Sequence, residues 1–201
     1  MMSQFYFSIR YLPEQADNEL LAGRCIYTMH GFISNDRNSQ FKNSVGVSFP
    51  RWDEHSVGNV IAFVSTNSDL LVGLSFQPYF STMVGEGVFD ISSVEPVPGD
   101  ADEVRFVRNQ TIAKSFIGSK KRRINRGMRR AEVIGQDYFP ESEEEREFDF
   151  FHSVPMNSSS TDEFVLFIQR EVFTEEKQEG FNSYGLATND KWRGTVPDFV
   201  L

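Results

Sequence analysis

The stretch Gln4–Tyr11, QFYFSIRY, alternates apolar and polar side chains, the two-residue period of a strand with one buried face. After Pro13 and a short acidic stretch, Glu19–Phe32 (ELLAGRCIYTMHGF) sets Leu20, Leu21, Cys25, Ile26, Met29 and Phe32 at helical spacing. Val45–Phe49 (VGVSF) reads as a strand stopped by Pro50, and Asn59–Val64 (NVIAFV) as another. Ser68–Leu74 predicts a short helix with Ser68 or Asp69 as its cap. Val88–Val97 closes the set with a weaker strand pattern. The order strand, helix, strand, strand, helix, strand predicts an α+β protein that opens with a ferredoxin-like (RRM-like) unit, an arrangement found in many RNA-binding domains and in much else.

Pro96, Pro98, Gly99 and Asp100 form a turn cluster. It predicts a ferredoxin-like domain over 1–98 and a C-terminal α/β region over 99–201. In the second region Val104–Ile112 reads as extended, and Ser119 to Val133 as a helix capped by Ser119. Glu163–Ile168 (EFVLFI) reads as a strand, and Gly180–Leu186 and Thr195–Leu201 as short strands or loops. Pro140–Glu147 (PESEEERE) reads as a solvated acidic surface. No internal repeat is visible.

The 201 residues carry a net charge of −9, with 14% aromatic side chains that supply ample core material. The opening residues lack the basic start and apolar run of a signal peptide, and no stretch reaches the ~18 apolar residues of a membrane span. The single Cys25 excludes an intrachain disulfide, and one cysteine with three scattered histidines (His30, His55, His152) argues against structural zinc. An intracellular protein without membrane contact is expected.

Charge is segregated along the chain. Arg105–Arg130 holds ten of the twenty Lys and Arg residues and no Asp or Glu, which leaves a net of −19 on the rest. Such segregation speaks about partners. On the predicted helix, Arg122, Arg126, Arg129 and Arg130 stand at i, i+4, i+7 and i+8 and share a face. They would repel one another unless a polyanion neutralised them, and aligned guanidinium groups suit successive phosphates of a nucleic acid. The bland alternative is a basic face balancing the acidic run. A strongly acidic remainder disfavours extended duplex DNA and fits a short, localised target such as an RNA hairpin. An A-form major groove is deep and narrow, but long arginines can enter it near a stem end.

Several segments in combination resemble the CRISPR repeat-processing endoribonucleases of type I-F systems. They are the helix ending in MHGF, the VGVSFP strand, VRNQ before the basic segment, the MRR end of the basic helix, SST followed by EFVLFI, and GFNSYGL near the C-terminus. These markers occur in family order over nearly the whole chain. The resemblance implies a ferredoxin-like domain joined to a C-terminal region whose arginine-rich helix lies in the major groove of the repeat hairpin. It implies cleavage at the 3′ base of the stem without metal or other cofactor, by the RNA's own 2′-hydroxyl, leaving a 2′,3′-cyclic phosphate and a 5′-hydroxyl. It further implies a cytoplasmic, prokaryotic protein that stays on the cleaved hairpin as a subunit of the type I-F guide-RNA complex, which binds target DNA. In a transposon-borne setting, transposition proteins join the partners.

Residue by residue, the resemblance places the base that deprotonates the attacking hydroxyl at His30. By itself a lone histidine there would read as a partly buried, satisfied side chain. Tyr184 matches the tyrosine that orients the histidine or contacts the phosphate, against a default of core packing. Ser158 matches the serine that positions the 2′-hydroxyl, with Ser160 a phosphate contact and Thr161 beside it, if one gap is allowed before Phe164. Without the gap, Asn157 and Ser159 take those two positions. Arg108 and Gln110 match the pair that reads bases near the bottom of the stem, since Arg forks to guanine and Gln to adenine. Arg126, Arg129 and Arg130 match the groove-contacting arginines, with Arg122 on the same face. Phe164 matches an aromatic stacked on the terminal base pair, a contact worth ~1–3 kcal/mol by analogy with other base stacking; core packing is its alternative. The proton transfer suits an imidazole, whose ordinary pKa is ~6.5, and no carboxylate cluster beside the basic segment suggests bound magnesium.

Three rival readings compete with this one. A hairpin-holding subunit would keep the grip without cleaving. A DNA-binding regulator would give Ser158 and Tyr184 no role. An interaction domain would use the basic helix on an acidic protein. The regions Glu132–Val154 and Thr188–Thr195 depart from the family pattern.

Overall fold

The computed structural model describes residues 3–115, 117–135, 150–156, 164–173, 178–199 and 201. The opening alternation builds strand β1 (Phe5–Tyr11), with Phe7, Ile9 and Tyr11 all buried. Helix α1 (Asn18–Ser34) starts where the Asp17 side chain accepts a hydrogen bond from the Leu20 N–H at 2.9 Å, satisfying a donor the first turn leaves open. Strands β2 (Gly46–Ser48) and β3 (Val60–Ser65) follow, and then helices α2 (Ser68–Ser75) and α3 (Pro78–Gly85). Strands β4 (Phe89–Ile91) and β5 (Glu95–Pro96) complete the first sheet, an antiparallel one ordered β2-β3-β1-β4 with β5 also on β1. The cap of α2 is neither Ser68 nor Asp69. Asn67 holds the extended backbone a cap needs, and its side chain accepts from the Leu70 N–H at 3.0 Å.

The second sheet begins with β6 (Glu103–Arg108). It stops short of Ile112, which opens the helical turn α4 (Ile112–Ser115). Helix α5 (Ile117–Ile134) carries the basic run. Because helical backbone is already established at Ile117, Ser119 lies inside the first turn and is not its cap. Strands β7 (Phe151–Met156), β8 (Phe164–Phe173), β9 (Ala187–Thr188) and β10 (Val196–Pro197) complete the set. The order is β10-β6-β8-β7, with β9 parallel to β6. Gly180–Leu186 contributes a turn rather than a strand. The acidic run 140–147 lies outside the described residues. Among the described residues, no helix is long and apolar enough to cross a membrane.

Helix α1 joins the two sheets. Its buried Cys25 lies beside Tyr11 of β1, and burial pushes the Cys25 thiol well up. Residues two apart on a helix point roughly 200° apart, so Gly23 faces elsewhere, and there it meets β7. A Cβ on Gly23 would stand 2.0 Å from the Pro155 carbonyl oxygen. On the opposite face of the first sheet, Tyr6 packs on Phe199 with ring centroids 4.3 Å apart. Edge strand β2 is closed by the same C-terminal segment, since Val47 N–H donates to the Gly185 carbonyl at 2.8 Å and Ser48 Oγ to that of Pro197. One apolar cluster therefore draws on both sheets. Gly23→Ala should lower the melting temperature by roughly 5–10 °C, because backbone must move to relieve overpacking worth about 1–3 kcal/mol. An unchanged melting curve would show that the helix–strand contact yields freely.

Candidate active site

His30 sits one turn from the C-terminal end of α1, and its ring faces the turn 182–185. Its Nδ1 donates to the Ser183 carbonyl oxygen at 2.8 Å. A carbonyl can only accept, so Nδ1 carries the proton, and in the neutral ring Nε2 keeps its lone pair. Nε2 has no hydrogen-bond partner among the described residues. The imidazole also stacks on Tyr184, with centroids 4.8 Å apart and planes 25° apart.

Tyr184 is the hub of the cluster. The Phe164 ring lies 5.8 Å away, tilted by 59°, and the Arg108 guanidinium carbon stands 5.1 Å over the phenol ring. Such a cation–π contact is worth ~0.5–2 kcal/mol. Burial draws the Arg108 pKa below its ordinary value, and the nearby Tyr184 acts in the opposite sense. A guanidinium keeps its charge in proteins, so Arg108 remains a cation.

The backbone explains why these groups meet. Arg108 ends β6, opposite Ile168 of β8 and beside Thr188 of β9. The next residues stay on β8: Asn109 N–H donates to the Phe167 carbonyl at 2.8 Å, and Gln110 Nε2 to that of Val165 at 3.5 Å. Phe164 opens β8 opposite Met156, the last residue of β7. Gly185 turns the chain with a φ of 75°, and a Cβ there would come within 2.6 Å of Val47 Cγ2. Only glycine suits that combination of backbone and contact.

Of the residues singled out in the sequence, the structure thus brings together His30, Tyr184, Phe164 and Arg108, with Gln110 alongside. Ser158, Ser160 and Thr161, and the competing Asn157 and Ser159, lie outside the described residues. The helical backbone of α5 runs through Arg122, Arg126, Arg129 and Arg130, and the side chains of Arg126, Arg129 and Arg130 are exposed. Arg105, at the edge of the basic segment, does not belong to that surface. It is only 3% exposed. Its guanidinium donates to the Arg193 carbonyl, Gln178 and Glu171 at 3.1–3.4 Å. Buried charges of this kind survive only when paired.

Two participants were not singled out in the sequence, the Ser183 carbonyl and Asn182, which anchors the turn. The signal for Asn182 was local: Asn two residues before an aromatic and three before glycine is turn chemistry. A backbone carbonyl leaves no signal at all. Among the described residues, no group of three or more His, Cys, Asp and Glu side chains is placed to hold a metal ion.

An imidazole, a guanidinium and two aromatic rings thus meet in a protein whose helix α5 carries exposed arginines. The family described as CRISPR-associated protein (Cas_Csy4) matches residues 6–199. The chain belongs to that family, which consists of endoribonucleases that process CRISPR repeat RNA. Compared with curated proteins, it has no significant match.

Proposed function

We propose that the protein grips the hairpin of the CRISPR repeat and cuts it at the 3′ base of the stem through the RNA's own 2′-hydroxyl, with no metal ion. The observation that carries this reading is the His30 geometry: Nδ1 is committed to Ser183, so Nε2 is the nitrogen available to accept a proton. In the step, Nε2 takes the proton of the 2′-hydroxyl while that oxygen bonds to the adjacent phosphorus. The bond from phosphorus to the 5′ oxygen breaks, and the departing oxygen takes up a proton from water. The products are a 2′,3′-cyclic phosphate and a 5′-hydroxyl.

The other groups have roles that follow from their chemistry. Ser158 positions the attacking hydroxyl, Ser160 and Thr161 contact the phosphate, and Tyr184 holds the imidazole by stacking. Arg108, partly withdrawn from water, reads the stem base with Gln110, and its charge favours the anionic phosphorane. Phe164 stacks on the last base pair, and Arg122, Arg126, Arg129 and Arg130 follow the phosphates of the groove. An internal nucleophile already aligned by a rigid stem needs orientation and proton transfer more than Lewis acidity.

The first sheet's order, β2-β3-β1-β4, with helices after β1 and after β3, supports a ferredoxin-like domain over 1–98. The basic helix then belongs to a C-terminal RNA-binding region over 99–201. The cleaved hairpin stays bound, and the protein acts as a subunit of a type I-F guide-RNA complex. Mass spectrometry of the products tests the chemistry. A cyclic phosphate on the upstream fragment agrees with it, and a 3′-hydroxyl with a 5′-phosphate contradicts it.

A further inference from the structure

We propose that Asn182 is a positioning residue for this reaction, acting on His30 through one peptide group. The inference rests on the reading of His30 as the base. The Asn182 side chain is buried, at 7% exposure. Its Oδ1 accepts from the Tyr184 N–H at 2.8 Å and from the Leu186 N–H at 3.2 Å. The Tyr184 N–H belongs to the same peptide plane as the Ser183 carbonyl. In a trans peptide these two groups point in opposite directions from a rigid plane. Holding the N–H end at Asn182 therefore aims the carbonyl end at His30 Nδ1, 2.8 Å away.

The result is one line of hydrogen bonds, from the imidazole through the 183–184 peptide to the Asn182 side chain, and each bond polarises the next. The device fixes two properties of the base at once. It sets which nitrogen carries the proton, and it fixes the turn from which Tyr184 stacks on the ring. Asn182 Nδ2 is buried and has no partner among the described residues, so of the side-chain atoms only the oxygen holds the 183–184 peptide, beside the backbone bonds Asn182 makes with Leu186 and Gly185.

The test combines nitrogen NMR of the His30 ring with single-turnover cleavage of the cognate hairpin by the full chain. Wild-type protein with a neutral His30 ring should show Nδ1 protonated and Nε2 bare. Asn182→Ala should lose that preference, and its cleavage rate should fall about tenfold, the low end of what losing an orienting partner costs a metal-bound histidine. Hairpin affinity should be unchanged. Asn182→Asp keeps the acceptor and should restore the tautomer and most of the rate. A wild-type His30 protonated on Nε2 overturns the proposal without any variant, should Asn182→Ala not fold. Wild-type tautomer and rate in Asn182→Ala overturn it as well. If His30→Ala itself cleaves normally, the reading of His30 as the base fails, whatever Asn182 does.

Discussion

Replacing His30 with alanine should slow repeat cleavage by roughly 10²–10⁴-fold, the usual contribution of a positioned general base. Hairpin affinity should stay within about threefold, because the groups proposed to grip the RNA lie elsewhere, on α5 and at Arg108, Gln110 and Phe164. The loss should exceed that of Tyr184→Phe, which removes the phenol hydroxyl but keeps a ring to stack on the imidazole. Single-turnover cleavage and an equilibrium binding assay on the same preparations separate the two effects. Cleavage within tenfold of wild type in His30→Ala would remove the imidazole from the chemistry. Loss of binding and cleavage together would instead make His30 part of the grip.

The second large effect concerns the basic helix. Substituting Arg126, Arg129 and Arg130 together by alanine should weaken hairpin binding at least about a hundredfold, since each charge-assisted contact is worth ~1.5–3 kcal/mol. The dependence of log affinity on log salt should flatten by about two to three, because each phosphate neutralised releases close to one counterion. These side chains are already exposed, so melting behaviour should barely change. The single variants Arg129→Ala and Arg130→Ala should each flatten the slope by a little under one unit. Unchanged slopes would deny the helix its place on the RNA. Equal losses on duplex DNA and on hairpin RNA would favour a general polyanion grip. The buried Arg105, though counted with the same basic segment, should behave in the opposite way: Arg105→Ala destabilises the fold, because Glu171 and the Arg193 carbonyl lose their partner.

The fold was legible where the period of the sequence and the pattern of burial agree. Phe7, Ile9 and Tyr11 announce β1, and Cys25, Ile26 and Met29 announce the face of α1 that turns inward. Strand β7 was missed for an identifiable reason. Its buried face is His152, Val154 and Met156, so a histidine breaks the apolar alternation, and Pro155 argues against a strand. The proline is tolerated because β7 is the last strand of its sheet. Helix α3 escaped notice because at eight residues it is too short for the helical period to stand out, although Pro78 in its first turn is a helix opener. For the site, His30 and Tyr184 were singled out by likeness to a family, and no periodicity could have found them. Nor could it show that His30 meets a backbone carbonyl 153 residues away. That meeting depends on α1 bridging the two sheets and on the turn at Gly185, both of them tertiary facts.

In the proposed reaction the RNA attacks itself with the help of a protein base. The most direct measurement incubates the protein, in excess EDTA, with its cognate repeat RNA and with a copy carrying a 2′-deoxy sugar at the cut position. The first should be cut, and the second bound as tightly but left intact. Cleavage of both, or cleavage only when a divalent metal is restored, would contradict the proposed reaction.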